Sequence, residues 1–206
     1  MIILKKLFLL VFLIFGCVNQ QTGTAIPEQK IEYNITFSEL WDFSNGLDYI
    51  YQSNKSVFLF EVKSKNVDEE EVWAINQTTN SLNDSSDSIW YVIYRSKKDG
   101  DCIKMRTPDG YGNCDGVNAI YPLGSQKPVK IWDTKEIKTK LGRYNATRYD
   151  FDVIMKTGLF DKGLTNRVVF WKAKEVPVPL KSGIIYNIRE YPDLEPVYDE
   201  LINWSN

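Results

Sequence analysis

Asp150 and Asp152 stand two residues apart in a stretch with strand character, so their carboxylates point to one face, as hydrolysis by a pair of acids requires. Set against them is the absence of histidine anywhere in the 206 residues. Without imidazole, Ser-His and Cys-His nucleophile pairs and His-bearing zinc sites are excluded, which leaves carboxylate, lysine or tyrosine chemistry. Exposed strand acids fall on one face by chance readily enough that the favoured reading is non-enzymatic, with an anchored hydrolase as the minor alternative. No cofactor is called for. The acidic run at residues 68–71 reads as a solvated turn, and the carboxylates within residues 97–116 do not follow the calcium-loop order that ends on a glutamate.

The three cysteines carry the other reactive chemistry. Lys5 and Lys6 form a positive flank to an apolar run at residues 7–15, which is well short of the roughly 20 residues that span hydrocarbon as a helix and suits an export signal. Residues 14–17 (IFGC) then resemble a lipobox, in which a small residue precedes a cysteine that is acylated and becomes the mature N-terminus. On this reading residues 1–16 are the signal, Cys17 is the lipidated residue, and the polar stretch to residue 30 is a tether. Phe15 is bulkier than the residue usual at its position, and the alternative is an ordinary signal or uncleaved anchor with an incidental cysteine. Once Cys17 is assigned to lipid, Cys102 and Cys114 are left as the one disulfide available on the oxidising side, contributing roughly 3 kcal/mol by restricting the unfolded chain. Export also opens six Asn-X-Ser/Thr sites to glycosylation, at Asn34, Asn54, Asn76, Asn83, Asn145 and Asn203. Asn76 and Asn83 flank the most polar stretch, residues 76–88, which reads as a loop, and are the favoured acceptors.

These groups must be positioned by a mainly β, α+β domain at residues 31–206. Aromatic residues make up 14% of the chain, and β-branched and aromatic runs at 47–52, 57–65, 71–76, 89–96, 129–134, 136–140, 144–155, 167–174 and 178–188 alternate with turn residues, as antiparallel strands do. Pro177 and Pro179 confine residues 176–180 to an edge or a connection. Two helices are expected. Thr36 and Glu39 have capping-box spacing ahead of Leu40 and Trp41, with Asn45-Gly46 as the stop. Leu194, Val197, Tyr198, Leu201 and Ile202 have the spacing of a C-terminal amphipathic helix. The net charge of −2 presents no basic surface for nucleic acid.

Residues 137–150 (IKTKLGRYNATRYD), 167–171 (RVVFW) and 176–181 (VPVPLK) follow the order strand, turn glycine, strand, Trp-bearing strand and proline-marked approach. This resembles the second half of the lipoprotein-sorting (LolA/LppX-like) family. The resemblance implies a strongly curved, half-barrel-like antiparallel sheet wrapped on helices, with a cavity that accepts acyl chains. The strands at 57–62 and 89–94 are apolar on both faces, as such a sheet would permit, although simple packing on the two helices accounts for them too. Phe58, Phe60, Trp90, Val92, Phe170 and Trp171 are the candidate lining. The expectation is a membrane-anchored extracytoplasmic binding protein for a lipid-like ligand, with an envelope structural or protein-interaction domain as the alternative. Replacing the anchor residue, Cys17→Ser, is expected to abolish metabolic labelling by fatty acid and to alter processing; a variant labelled like the parent would remove the anchor.

Overall fold

The β-forming runs belong to a set of twelve strands among the described residues of the structure, a computed structural model that describes residues 35–83, 88–112, 114, 128, 130–155, 164–190 and 193–206. The signal, Cys17, the tether and Asn34 lie outside the described residues. The strands are β1 Asp48–Gln52, β2 Ser56–Val67, β3 Glu70–Ser81, β4 Ser88–Ser96, β5 Cys102–Thr107, β6 Gly110–Gly112, β7 Lys130–Ile131, β8 Lys135–Thr139, β9 Gly142–Met155, β10 Leu164–Ala173, β11 Lys181–Ile185 and β12 Tyr198–Ser205. They form one curved, unclosed antiparallel sheet in the order β6-β5-β4-β3-β2-β1-β12-β11-β10-β9-β7, with β8 also on β9. Residues 176–180 form the β10–β11 connection, where their prolines withhold no ladder donor.

The expected helix start is present, and the Glu39 carboxylate accepts the Thr36 backbone N–H. The helix, α1 at Phe37–Leu40, is a single turn. It ends because Trp41 is extended, not at Asn45-Gly46; Gly46, at φ 91°, serves the turn into β1 and donates its N–H to the Val62 carbonyl. So short a helix has little stability of its own and is held by packing.

The C-terminal helix is not formed, and its residues give β12 instead. Tertiary pairing overrides the helical spacing: β12 bonds to β1 on one side and β11 on the other, so it joins two halves of the sheet that would each otherwise end on an exposed edge. The stripe meant for burial is split accordingly, with Leu201 fully buried while Leu194 and Val197 are exposed. A second difference lies in β3, which runs to Ser81 through residues read as loop. Its polar stretch, Gln77 to Asn80, is held between partners on both sides in β2 and β4. The β2–β3 hairpin turns on Asp68 and Glu69, both left-handed at φ 49° and 68°, the two-residue turn whose twist suits flanking strands.

The interior face of the sheet is set by register. Tyr49 of β1 lies opposite Phe60 of β2, which faces Gln77 of β3, which faces Tyr91 of β4; Val62, Ile75 and Ile93 form the next row. Into this concavity comes the stretch 37–43. Trp41 meets Phe170 edge-on with ring centroids 5.9 Å apart, and lies 6.2 Å from Tyr49 and 5.6 Å from Phe43. Gly100, at φ 78° in the β4–β5 turn, leaves the space that Phe37 occupies; a Cβ there would run into the Phe37 ring. Truncation of this filling, Trp41→Ala, is expected to destabilise the protein by about 3–5 kcal/mol in urea unfolding. The exposed Tyr186→Ala should stay within about 0.5 kcal/mol. Equal, small effects for the two would contradict the packing described.

Candidate functional site

The residues expected to line a cavity do not share one. Phe60 and Phe170 are buried on the interior face, and Phe58 packs half-buried beside them. Trp90 and Val92 lie on the outer face of β4, because Tyr91, Ile93 and Arg95 are the side chains that point inward. Trp171 is on the outer face of β10, back to back with Phe170. Where Trp41, Phe43, Tyr49, Phe60, Gln77 and Arg95 converge, the space left is about 20 Å³. That is room for about one water molecule, against the roughly 300 Å³ or more of a ligand pocket.

Arg95 and Gln77 make this interior chemically uneven. Both are buried, at 1% and 2% exposed. Arg95 Nη1 donates to the Gly100 carbonyl at 2.7 Å, tying the β4–β5 turn to the sheet, and Gln77 Nε2 donates to the Thr79 hydroxyl at 3.4 Å. Burial pushes the neighbouring Tyr91 hydroxyl up to about 12, so it is neutral and a donor throughout the physiological range.

On the outer face of β9 and β10 the structure assembles a second polar centre that sequence reasoning missed in most of its parts. Arg148 and Asp150 alternate onto that face, and Arg148 grips Asp150 with two bonds, Nε–Oδ1 at 2.7 Å and Nη2–Oδ2 at 3.3 Å. Its Nη1 donates to Glu195 Oε1 at 2.7 Å from the stretch before β12. Tyr198 closes the group: its hydroxyl donates to Glu195 Oε2 at 3.0 Å and accepts from Trp171 Nε1 at 3.2 Å. Trp132 and Trp171 flank it, with Lys130 Nζ 3.8 Å from the Trp132 ring centre and Lys135 Nζ 4.9 Å from that of Trp171. Burial opposes the Arg148 charge, but the bonds to Asp150 and Glu195 outweigh it and raise its pKa above the ordinary value. Burial pushes the Tyr198 hydroxyl up to about 12.

The paired carboxylates are thus each engaged by a guanidinium. Asp150, with no exposed surface, belongs to Arg148; Asp152 is held at 2.7 and 3.1 Å by Arg167 across the β9–β10 ladder. The Arg148-x-Asp150 alternation of opposite charges on one strand face was legible in sequence, whereas Glu195 lies 47 residues away and gave no local signal.

Cys102 and Cys114 are joined, with Cα atoms 5.6 Å apart, and the bridge closes the segment that holds the β5–β6 hairpin. Among the glycosylation sites, Asn54, Asn83, Asn145 and Asn203 are exposed. Asn76 instead lies half-buried within β3, its amide nitrogen donating to Glu61 at 2.9 Å. Among the described residues no helix is long and apolar enough to cross a membrane.

No family model matches the chain, and no curated protein matches it. A crystal structure from Bacteroides fragilis, described as that of a candidate exported protein with a YmcC-like fold, superposes with a TM-score of 0.43 at 11% identity, covering 82% of this chain and all of the other. A likeness of that degree carries no conclusion about this one.

Breaking the buried ion pair with Asp150→Asn leaves Arg148 short of its principal partner and is expected to cost about 3 kcal/mol or more in urea unfolding. The half-exposed Asp152→Asn should cost under about 1 kcal/mol. Partial burial works to raise the Glu195 pKa, yet the bonds from Arg148 and Tyr198 prevail and hold it below its usual 4.5. This contribution is therefore present above pH 4.5 and lost as pH falls through the lowered value, and Glu195→Gln should remove that part of the acid sensitivity. Equal costs for the two aspartates would contradict the assignment.

Proposed function

We propose that this protein is a membrane-anchored, extracytoplasmic interaction domain without enzymatic activity, held at the surface by lipid on Cys17, whose partner is another envelope protein. The observation that carries the reading is the opposite treatment of the two faces of β1–β4. Their interior face is packed by the stretch 37–43, and the space where Trp41, Phe43, Tyr49 and Phe60 converge is about 20 Å³. Across the outer face runs a row of Ile50, Leu59, Thr78 and Trp90 in register, with Val92 beside it. Leu59 and Trp90 are 37% and 40% exposed, with Thr78 between them and Glu61 and Asn76 on the adjoining positions, and exposed large apolar side chains rimmed by polar ones mark a contact surface. An acyl ligand, by contrast, needs an enclosed volume that the packed aromatics occupy.

A photo-crosslinking amino acid placed at Trp90 of the chain in its native envelope should yield one discrete adduct with a protein, and the same group at exposed Lys138 should not. Native mass spectrometry of the purified full chain should show no co-purifying lipid beyond the covalent anchor. A stoichiometric bound lipid, or the absence of any adduct at Trp90, would overturn the reading.

A further inference from the structure

At the end of the sheet where β12 finishes lies a cleft of about 230 Å³ that the interaction role does not use. One wall is the stretch after α1, with Asp42 and Ser44; the other is the β10–β11 connection, with Lys174 and Glu175; Trp204 and Asn206 complete it. Its walls are held in place. The Asp42 N–H donates to the Pro177 carbonyl at 2.8 Å, and the Ser44 hydroxyl donates to Asn206 Oδ1 at 2.5 Å. From beneath, the buried Lys172 ammonium donates to the carbonyls of Ala173 and Val176, which fixes the turn carrying Lys174 and Glu175. Such a cleft is preorganised, so a ligand need not order it on binding.

The lining selects a chemical class. Two carboxylates against one ammonium repel a phosphate or other anion. They also make a poor site for a divalent cation, since Lys174 competes for the same oxygens. A purely apolar ligand would strand those charges without hydrogen bonds. A sugar ring meets the set: it has one face of C–H groups and a rim of hydroxyls that both donate and accept. Trp204, with 36% of its surface open, offers an indole for the C–H face. Asp42 and Glu175 accept, Lys174 and the Asn206 amide nitrogen donate, and the Ser44 oxygen, whose proton goes to Asn206, accepts. The volume lies below the roughly 300–1,000 Å³ of drug-sized sites and suits a single ring. We propose that the cleft between Asp42, Glu175 and Trp204 binds one neutral hexose unit, free or at the end of a glycan. It shares no residue with the apolar row on the outer face, so either assignment can fail without the other.

Saturation-transfer NMR on the full chain, in a detergent without a sugar head group, would be run with the methyl glycosides of glucose, galactose, mannose and N-acetylglucosamine. At least one should bind saturably at millimolar concentration, with the strongest transfer to one C–H face of the ring. Trp204→Ala and, in the exposed loop, Glu175→Gln should each weaken it by roughly tenfold, about 1.4 kcal/mol, with circular dichroism unchanged. Saturable binding by none of the four, or binding equal in both variants to that of the parent, would overturn the proposal. So would tighter binding of tetramethylammonium with the same sensitivity, which would make the cleft a site for organic cations.

Discussion

A curved sheet that does not close has an apolar hollow, and something must fill it or water will. Here the filling is the stretch from Phe37 to Phe43, inserted against the interior face. Its conformation changes part-way to suit the hollow. One capped turn brings Phe37 and Leu40 inward, and the chain then extends so that Trp41 and Phe43 continue where a helix would have turned them away. The sheet is adapted in return. Gly100 vacates the volume taken by Phe37, and Tyr49 stacks on Phe60 at 4.5 Å so that both rings present faces or edges to the insert. Remove this segment and the interior rows from Tyr49 to Ile93 would lose their cover, a loss that twelve strands of backbone hydrogen bonds do not offset.

Cover on the outer face is divided. Over β9 to β11 it comes from the stretch before β12 and the first residue of β12: Pro196 lies so close to Gly183 that a Cβ there would meet it, and Glu195 and Tyr198 bond to Arg148 and Trp171. This is why β10 is buried on both faces along most of its length. Over β1 to β4 no described segment plays that part, and Leu59 and Trp90 stay open to solvent. Burying a guanidinium under the first half brings the cost of desolvation, and its two carboxylate partners are what make it tolerable. The two halves therefore differ in kind, one sealed by a covering segment and buried charge, the other left with Leu59 and Trp90 in the open.

Much of this architecture was legible from residue order, because strands with a period of two write their faces into the sequence. The β2 and β4 runs, the Asp68 turn, the proline-marked connection and the pairing left to Cys102 and Cys114 all rest on local chemistry. What failed was non-local. The spacing of Leu194 to Ile202 satisfies a helix equally well, and only the vacancy between β1 and β11 decides for a strand. Polar β-formers at Gln77 to Asn80 read as loop until both neighbours are known. In β4 either face could have been the inner one, since Trp90 and Tyr91 are equally aromatic, and the choice of Trp90 and Val92 as lining was wrong for that reason. Trp41 stood in the correct segment, but nothing near it announces that its indole reaches Phe170, 129 positions further along the chain.

The filled interior can be tested at that contact. With selectively labelled aromatic side chains in the full-length protein, nuclear Overhauser cross-peaks should join the Trp41 indole to the Phe170 ring, whose centres lie 5.9 Å apart. Cross-peaks from Trp41 to the methylenes of a bound acyl chain, with none to Phe170, would mean that the hollow belongs to a ligand and would contradict the account.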